Sequence, residues 1–439
     1  MTPTTSQPDA RQLILNANLI PGGTIGSPWR RAPEPGAHFV GIEHYVDVAR
    51  AAERGLFDAV FLADSPDLHA KDWNAPSRLL DPIVAQSVLA AHTDTIGLIV
   101  TATTSYSDPY NLARQLASLA AVSGGRAGWN VVVTGGDTAA QNFSLAQAPP
   151  KEDRYARADE FLSVVDALWD SWECGALAAD KSTGRYLDPA RISPIGHAGD
   201  YFQVRGPLKA PPLDGIRPVI VQAGASTHGV DLAARHADAV YTAHVDAASA
   251  AQRRTEVRAQ AAAAGRDPDR VKLLPGLIVV LADTEEAALA RDAALADLIP
   301  DDVQRQNLAA RLGMDAEDLP LDAPLPWERI PASATAAGAR GQREVFLEHV
   351  RLQGLDTRGA ARLLAAGSGH AKVIGGPEQV ADTIEEWFRS GACDGFNLML
   401  DELPCGLDDF VDHVLPILRR RGLFRSEYTG TTLRDHYGL

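Results

Sequence analysis

Residues able to do chemistry in this chain sit where apolar runs end. Asn16 and Asn18 close one run, Asp64 another, and Thr103 and Thr104 a third. Asn130 through Gly136 belong to a fourth, in "WNVVVTGG", and Gln222–Ser226, Thr242 and His244 follow later runs. Almost all are short polar side chains or glycines, suited to hydrogen-bonding a bound molecule. In "QAGASTHG" (222–229) small residues precede a helix-like pattern, so backbone N–H groups at a helix N-terminus are free to approach a phosphate. Ser226 and Thr227 add hydroxyl donors, and Tyr155 in "EDRYARADE" offers a phenol to the same anion. The same residues also fit an ordinary strand-to-helix turn with a serine cap and a packing tyrosine. Small polar strand ends beside a phosphate cradle suit a flat phosphorylated cofactor.

Other chemistries lack their residues. No His-x-His and no carboxylate cluster at facing strand ends supports a metal-dependent hydrolase. The G-x-S-x-G elbow, the G-x-G-x-x-G turn and the Walker pattern are all missing. Arg30 and Arg31 in "PGGTIGSPWRR" are of a type to meet a carboxylate or phosphate, or to be solvated at the surface.

The positioning elements alternate. Apolar runs at 13–20, "FDAVFLADS", "IGLIVTATT", the run through Trp129, "PVIVQAGAS", "DAVYTAHV", "VKLLPGLIVVLAD" and "CDGFNLML" are each followed by a helical pattern. Asp108 and Pro109 supply an N-cap and a first helical residue, and Gly55 a helix stop. Strands apolar throughout, rather than alternating, are covered on both faces, which means a parallel sheet. Eight strand-then-helix units predict an α/β fold, a (β/α)8 TIM barrel, with an open doubly wound sheet as the alternative. Residues 173–217 read as an irregular loop with "YFQVRGPL" extended, and about 300–370 as an insertion in a single domain spanning 1–439.

The chain has 439 residues, 41 basic and 57 acidic, for a formal net charge of -16, which disfavours nucleic acid or an anionic membrane as partner. Three dispersed cysteines, no basic stretch leading into an apolar core at the start, and no apolar run of the ~18 residues needed to cross a bilayer fit a cytoplasmic protein.

At these residues the chain resembles the flavin-dependent monooxygenases of the bacterial luciferase superfamily. The nearest branch is that of nitrilotriacetate, EDTA and dibenzothiophene-sulfone monooxygenases. "RQLILNANLI", "HYVDVARAAERGLFDAVFLAD", "SGGRAGWNVV", "RYARADEFLSVVDALWDSWE", "RPVIVQAGAS", "CDGFNLM" and "RRRGLFRSEYTGTTLRDHYGL" carry the likeness in order along the chain. It implies a barrel using reduced FMN delivered by a separate NAD(P)H:flavin reductase, with O2 as co-substrate, commonly as a homodimer or tetramer. By the same resemblance Asp64 and Thr103 (or its neighbour Thr104) lie near the flavin ring, and Asn130 bonds near the ring or ribityl chain. Lys151, Tyr155, Ala225 and Ser226 fall at phosphate-side positions. Trp129 is expected to pack rather than react.

Three departures stand out. Lys151 replaces a histidine usual in the branch, Val133 stands where a threonine is common, and the first loop has no histidine near Trp29 and Arg30. Gly135 and Gly136 replace bulkier polar residues and are expected to give the substrate room. A riboflavin-lyase type of oxygenase and a deazaflavin-dependent dehydrogenase are alternatives on the same fold.

Overall fold

A computed structural model describes residues 11–439 apart from 26, 69–74, 77–78, 211–213, 225, 332–339 and 366–368. Eight parallel strands carry the molecule: β1 (Ile14–Asn18), β2 (Ala59–Leu62), β3 (Gly97–Thr103), β4 (Ala127–Val132), β5 (Val219–Ala223), β6 (Ala239–Thr242), β7 (Lys272–Leu281) and β8 (Gly395–Leu400). Each pairs with its chain neighbour, β7 pairs with β8, and β8 returns to β1. The sheet is therefore closed, and the open doubly wound alternative is excluded. The eight strands are the eight apolar runs of the sequence.

Alternation along each strand divides the core in two. Leu13, Leu15, Val60, Leu98, Val100, Trp129 and Val131 face outward and bury against the surrounding helices. Ile14, Phe61, Ile99, Val221, Tyr241 and Leu274 face inward. Several helices begin where short polar side chains accept backbone N–H groups. Asp81 takes Ile83 N at 2.9 Å, Asp108 takes Asn111 N at 3.0 Å and Asp246 takes Ser249 N at 2.8 Å. These caps fix the entry of each helix just beyond a strand end, and so fix the loops at the barrel mouth.

The opposite end is plugged by the chain's own later residues. Leu433 and Tyr437, on the short helix Leu433–Tyr437, join the inward cluster. Asn16 Nδ2 donates to the hydroxyls of Tyr241 and Tyr437, each at 2.8 Å. Beneath them Arg425 pairs with the fully buried Asp58, whose other oxygen accepts Leu15 N at 2.7 Å. Burial pushes Asp58 up to about 6, against the pull of the Arg425 guanidinium.

Two stretches that the sequence outlines only as a loop with an extended piece and as an insertion are given their detail by the structure. Within 173–217 the chain forms two small antiparallel pairs, Leu177–Asp180 with Arg185–Leu187 and His197–Ala198 with Gln203–Val204. Strands of two to four exposed residues leave no apolar pattern to read. The 300–370 excursion is built of helices Asp301–Leu312, Arg340–Leu352 and Thr357–Ala365 around its own apolar cluster of Leu308, Leu312, Leu319, Phe346 and Val350. An open depression of about 660 Å³ there, bordered by Leu325, Trp327, Val350 and Leu355, involves none of the strand-end residues. After the excursion an accessory strand, Ala371–Gly375, pairs with the upper half of β7. No helix among the described residues is long and apolar enough to cross a membrane.

Candidate functional site

The mouth formed by the carboxyl ends of the strands collects most of the residues singled out above. Asp64 lies half-buried just beyond β2. Thr103 Oγ1, at the end of β3, accepts from Thr134 Oγ1 at 2.8 Å and from Ser105 N at 3.1 Å. Thr104 is fully buried, and its hydroxyl donates to Val132 O at 3.3 Å. Of the two threonines it is Thr103 that stays partly accessible at the mouth.

Asn130 sits within β4, 2% exposed, and its Nδ2 donates to Thr101 Oγ1 at 2.9 Å. Its neighbour Trp129 turns outward, donates Nε1 to Ala102 O at 3.0 Å and packs on Phe161. By alternation Asn130 therefore faces the interior. Asn18 is in register with the inward Phe61, and Asn397 with Asn16. The Oδ1 atoms of Asn18, Asn130 and Asn397 are all buried without a hydrogen-bond partner among the described residues. An unmet buried acceptor costs about 1–3 kcal/mol, so three around one interior mark a place where donors of a bound molecule are called for.

Beside this interior, hydroxyl and backbone N–H donors and a lysine gather at a helix N-terminus. Ser226 caps the helix Thr227–His236, its Oγ accepting Gly229 N at 3.3 Å. Tyr155 OH lies 3.3 Å from the same Oγ. Lys151 and Tyr155 are four residues apart on the helix Lys151–Trp169, hence on one face, with Lys151 Nζ 5.8 Å from the tyrosine ring centre. His228 also packs against that ring, centroids 5.4 Å apart. A helix N-terminus carries roughly half a positive charge, and the lysine adds a full one. In a chain of net charge -16 such a spot is locally positive. His228 went unnoticed in the sequence, because one histidine in the first turn of a helix makes no pattern. Ala225 lies outside the described residues.

The glycines after β4 have a different cause from the one expected. A Cβ on Gly135 would lie 2.6 Å from Nη1 of Arg154, a buried guanidinium that also donates to Pro149 O. Arg154 fills the space assigned to substrate. Gly136 has φ 100, a conformation side chains resist, and it starts the helix Asp137–Gln141. Gly136→Ala is expected to lower stability by about 1 kcal/mol in urea unfolding. The two arginines of the first loop are likewise engaged. Arg30 donates to Leu298 O, Arg31 reaches Glu402 at 3.2 Å, and Ser27 Oγ donates to Leu295 O at 2.7 Å. The loop without a nearby histidine leads to two of them, His38 and His44, with rings 5.5 Å apart. His44 is wholly buried and held down to about 4 by desolvation.

The profile of the luciferase-like monooxygenases matches residues 24–394. The chain is 41% identical to N-acetyl-S-(2-succino)cysteine monooxygenase of Bacillus subtilis (strain 168), over 98% of this chain and 97% of that one. It is also 41% identical to nitrilotriacetate monooxygenase component A of Aminobacter aminovorans, with the same coverage. Among solved structures, a riboflavin lyase holding modified FMN and riboflavin superposes with a TM-score of 0.81, at 31% identity over 98% of this chain and 96% of that one.

Proposed function

Because this chain belongs to the luciferase-like monooxygenases, and is thus an oxidoreductase enzyme, we propose that it is the oxygenase of a two-component system. On this reading it takes reduced FMN from a separate NAD(P)H:flavin reductase and uses O2 to oxygenate a small organic molecule. The observation that carries the reading is the anion cradle, with Ser226 Oγ, Tyr155 OH and Lys151 grouped at a helix N-terminus beside the mouth.

The residues present fit the cofactor. The cradle has donors and positive charge for a terminal phosphate, and the unpartnered Oδ1 atoms of Asn18, Asn130 and Asn397 would meet N–H groups of a reduced ring. Asp64, Thr103 and Asn130 would orient that ring, and Lys151, Tyr155 and Ser226 would hold the phosphate. When bound, reduced flavin supplies the electrons with which O2 is activated for insertion of one oxygen atom into the substrate. The chain's own tasks are to fix the ring's orientation and, through the apolar strand layer beneath it, to exclude water.

The test is a product analysis with purified protein, FMN, NADH, a generic flavin reductase and 18O2 over a substrate panel. One labelled oxygen per product is expected, and no label in any product rejects oxygenation for those compounds. Riboflavin belongs in the panel, because the likeness to a riboflavin lyase supports a flavin-degrading oxygenase as the second reading. Deazaflavin-dependent turnover without oxygen would instead favour a dehydrogenase. Asn130→Ala is expected to weaken anaerobic binding of reduced FMN about tenfold, measured by fluorescence titration, since the ring would lose its bond at that atom.

A further inference from the structure

Above Pro275 the barrel wall forks. The lower half of β7 pairs with β6, but from Leu277 onward its neighbour is the accessory strand Ala371–Gly375. Two histidines flank the fork, and neither belongs to the phosphate cradle. His244 follows the end of β6 and is 9% exposed. His370 immediately precedes the accessory strand, and its ring lies where a side chain on Gly276 would be, since a Cβ there would fall 2.3 Å from Nδ1. Gly276 is in register with the inward Asn397, so the imidazole borders the barrel interior.

The hydrogen bonds around His244 assign its tautomer. Ser249 Oγ lies 3.0 Å from Asp246 O, a carbonyl that only accepts, so the hydroxyl proton is committed there. At 3.2 Å from His244 Nδ1 that same Oγ must accept, which puts the imidazole proton on Nδ1. Nε2 therefore carries a bare lone pair, and it is buried with no partner among the described residues. The groups around the ring are Asp246, which caps the following helix Ala247–Ala263, Arg253 on that helix, and His370 just before the accessory strand. Burial first, then Arg253, outweigh Asp246 and hold His244 down to about 4, so the lone pair stays free at neutral pH.

Resting on the oxygenase reading, we propose that the fork binds the substrate's polar end. There His244 Nε2 accepts a hydrogen bond from an ammonium, hydroxyl or amide group. The favoured substrates are then small molecules bearing such a donor close to the carbon or heteroatom to be oxygenated, rather than donor-free compounds such as sulfones or alkanes.

Calorimetric titration with nitrilotriacetate, iminodiacetate and ethanolamine, which carry N–H at neutral pH, against dimethyl sulfone, which has no donor, tests this. At least one donor-bearing compound is expected to bind. His244→Leu should weaken it about tenfold, and His244→Gln, which keeps an acceptor, by less than threefold. Histidine 15N spectra should show an unprotonated His244 Nε2 from pH 8 to pH 5, moved by the donor-bearing ligand and not by the sulfone. Equal binding to both variants, no binding by any donor-bearing compound, or a proton on Nε2 would overturn the proposal. Reduced FMN is titrated in parallel. Its failure to bind the unaltered protein counts against the oxygenase reading, whereas normal FMN binding with an indifferent His244 counts against the fork alone.

Discussion

Ser226→Asp is expected to weaken binding of reduced FMN by about 100-fold or more while leaving the melting temperature within a degree or two. Aspartate caps a helix as well as serine does, so the bond to Gly229 N and the start of Thr227–His236 survive. What changes is charge. A carboxylate would stand where Tyr155 OH, Lys151 and the helix N-terminus gather, the place proposed above for the FMN phosphate. Two negative groups about 4 Å apart repel by roughly 4 kcal/mol per charge pair at an effective dielectric near 20, and a phosphate dianion feels this twice. Screening by Lys151 and salt reduces the net effect to the two or more orders of magnitude expected. Riboflavin, which has no phosphate, is the control and should bind both proteins alike. If FMN and riboflavin weaken together, or neither weakens, the phosphate does not lie at Ser226.

The second large effect is structural. Arg425→Met should lower unfolding stability by about 3–5 kcal/mol in urea titration, because it strands the buried Asp58 carboxylate. The double variant with Asp58→Asn should recover part of the loss, since no unpaired charge then remains. Asp58 also takes Leu15 N, and the plug residues around it reach Tyr437 and Asn16, so the damage would spread through the lower barrel layer. A single variant as stable as the parent protein would mean the pair contributes nothing net. That outcome would also weaken the view of the tail as part of the core.

The barrel was legible because its strands are covered on both faces and so read as unbroken apolar runs, each followed by a helical pattern, several of them opened by a capping side chain. The cradle was legible in part. Ser226 announces itself as a cap after small residues, and the likeness to known oxygenases marked Lys151 and Tyr155. What escaped depends on contacts between distant residues. Gly135 was misread because the side chain occupying its space, Arg154, comes nineteen positions later and on a different element. His370 approaches Gly276 only after the whole 300–370 excursion has been traversed, and no local pattern announces a strand that joins half of β7. The small hairpins after Trp169 have too few residues, and too little burial, to leave a periodic trace. His228 and His44 are single residues whose meaning lies wholly in what packs against them.

The plug sets an order of events during synthesis. All eight strands leave the ribosome before Arg425, Leu433 and Tyr437, yet these three complete the ion pair, the inward cluster and the tyrosine–asparagine bonds at the base. A nascent chain that has made its last strand has Leu15 N for Asp58 and Tyr241 for Asn16, but still lacks the Arg425 guanidinium and the second tyrosine, Tyr437. Its apolar base stays open until the tail is in place, and a chain in that state exposes surface prone to aggregation. Ribosome-bound chains cut after residue 424 and joined to a flexible linker that carries all eight strands clear of the exit tunnel should therefore be protease-sensitive, and chains running to residue 439 on the same linker should be protected.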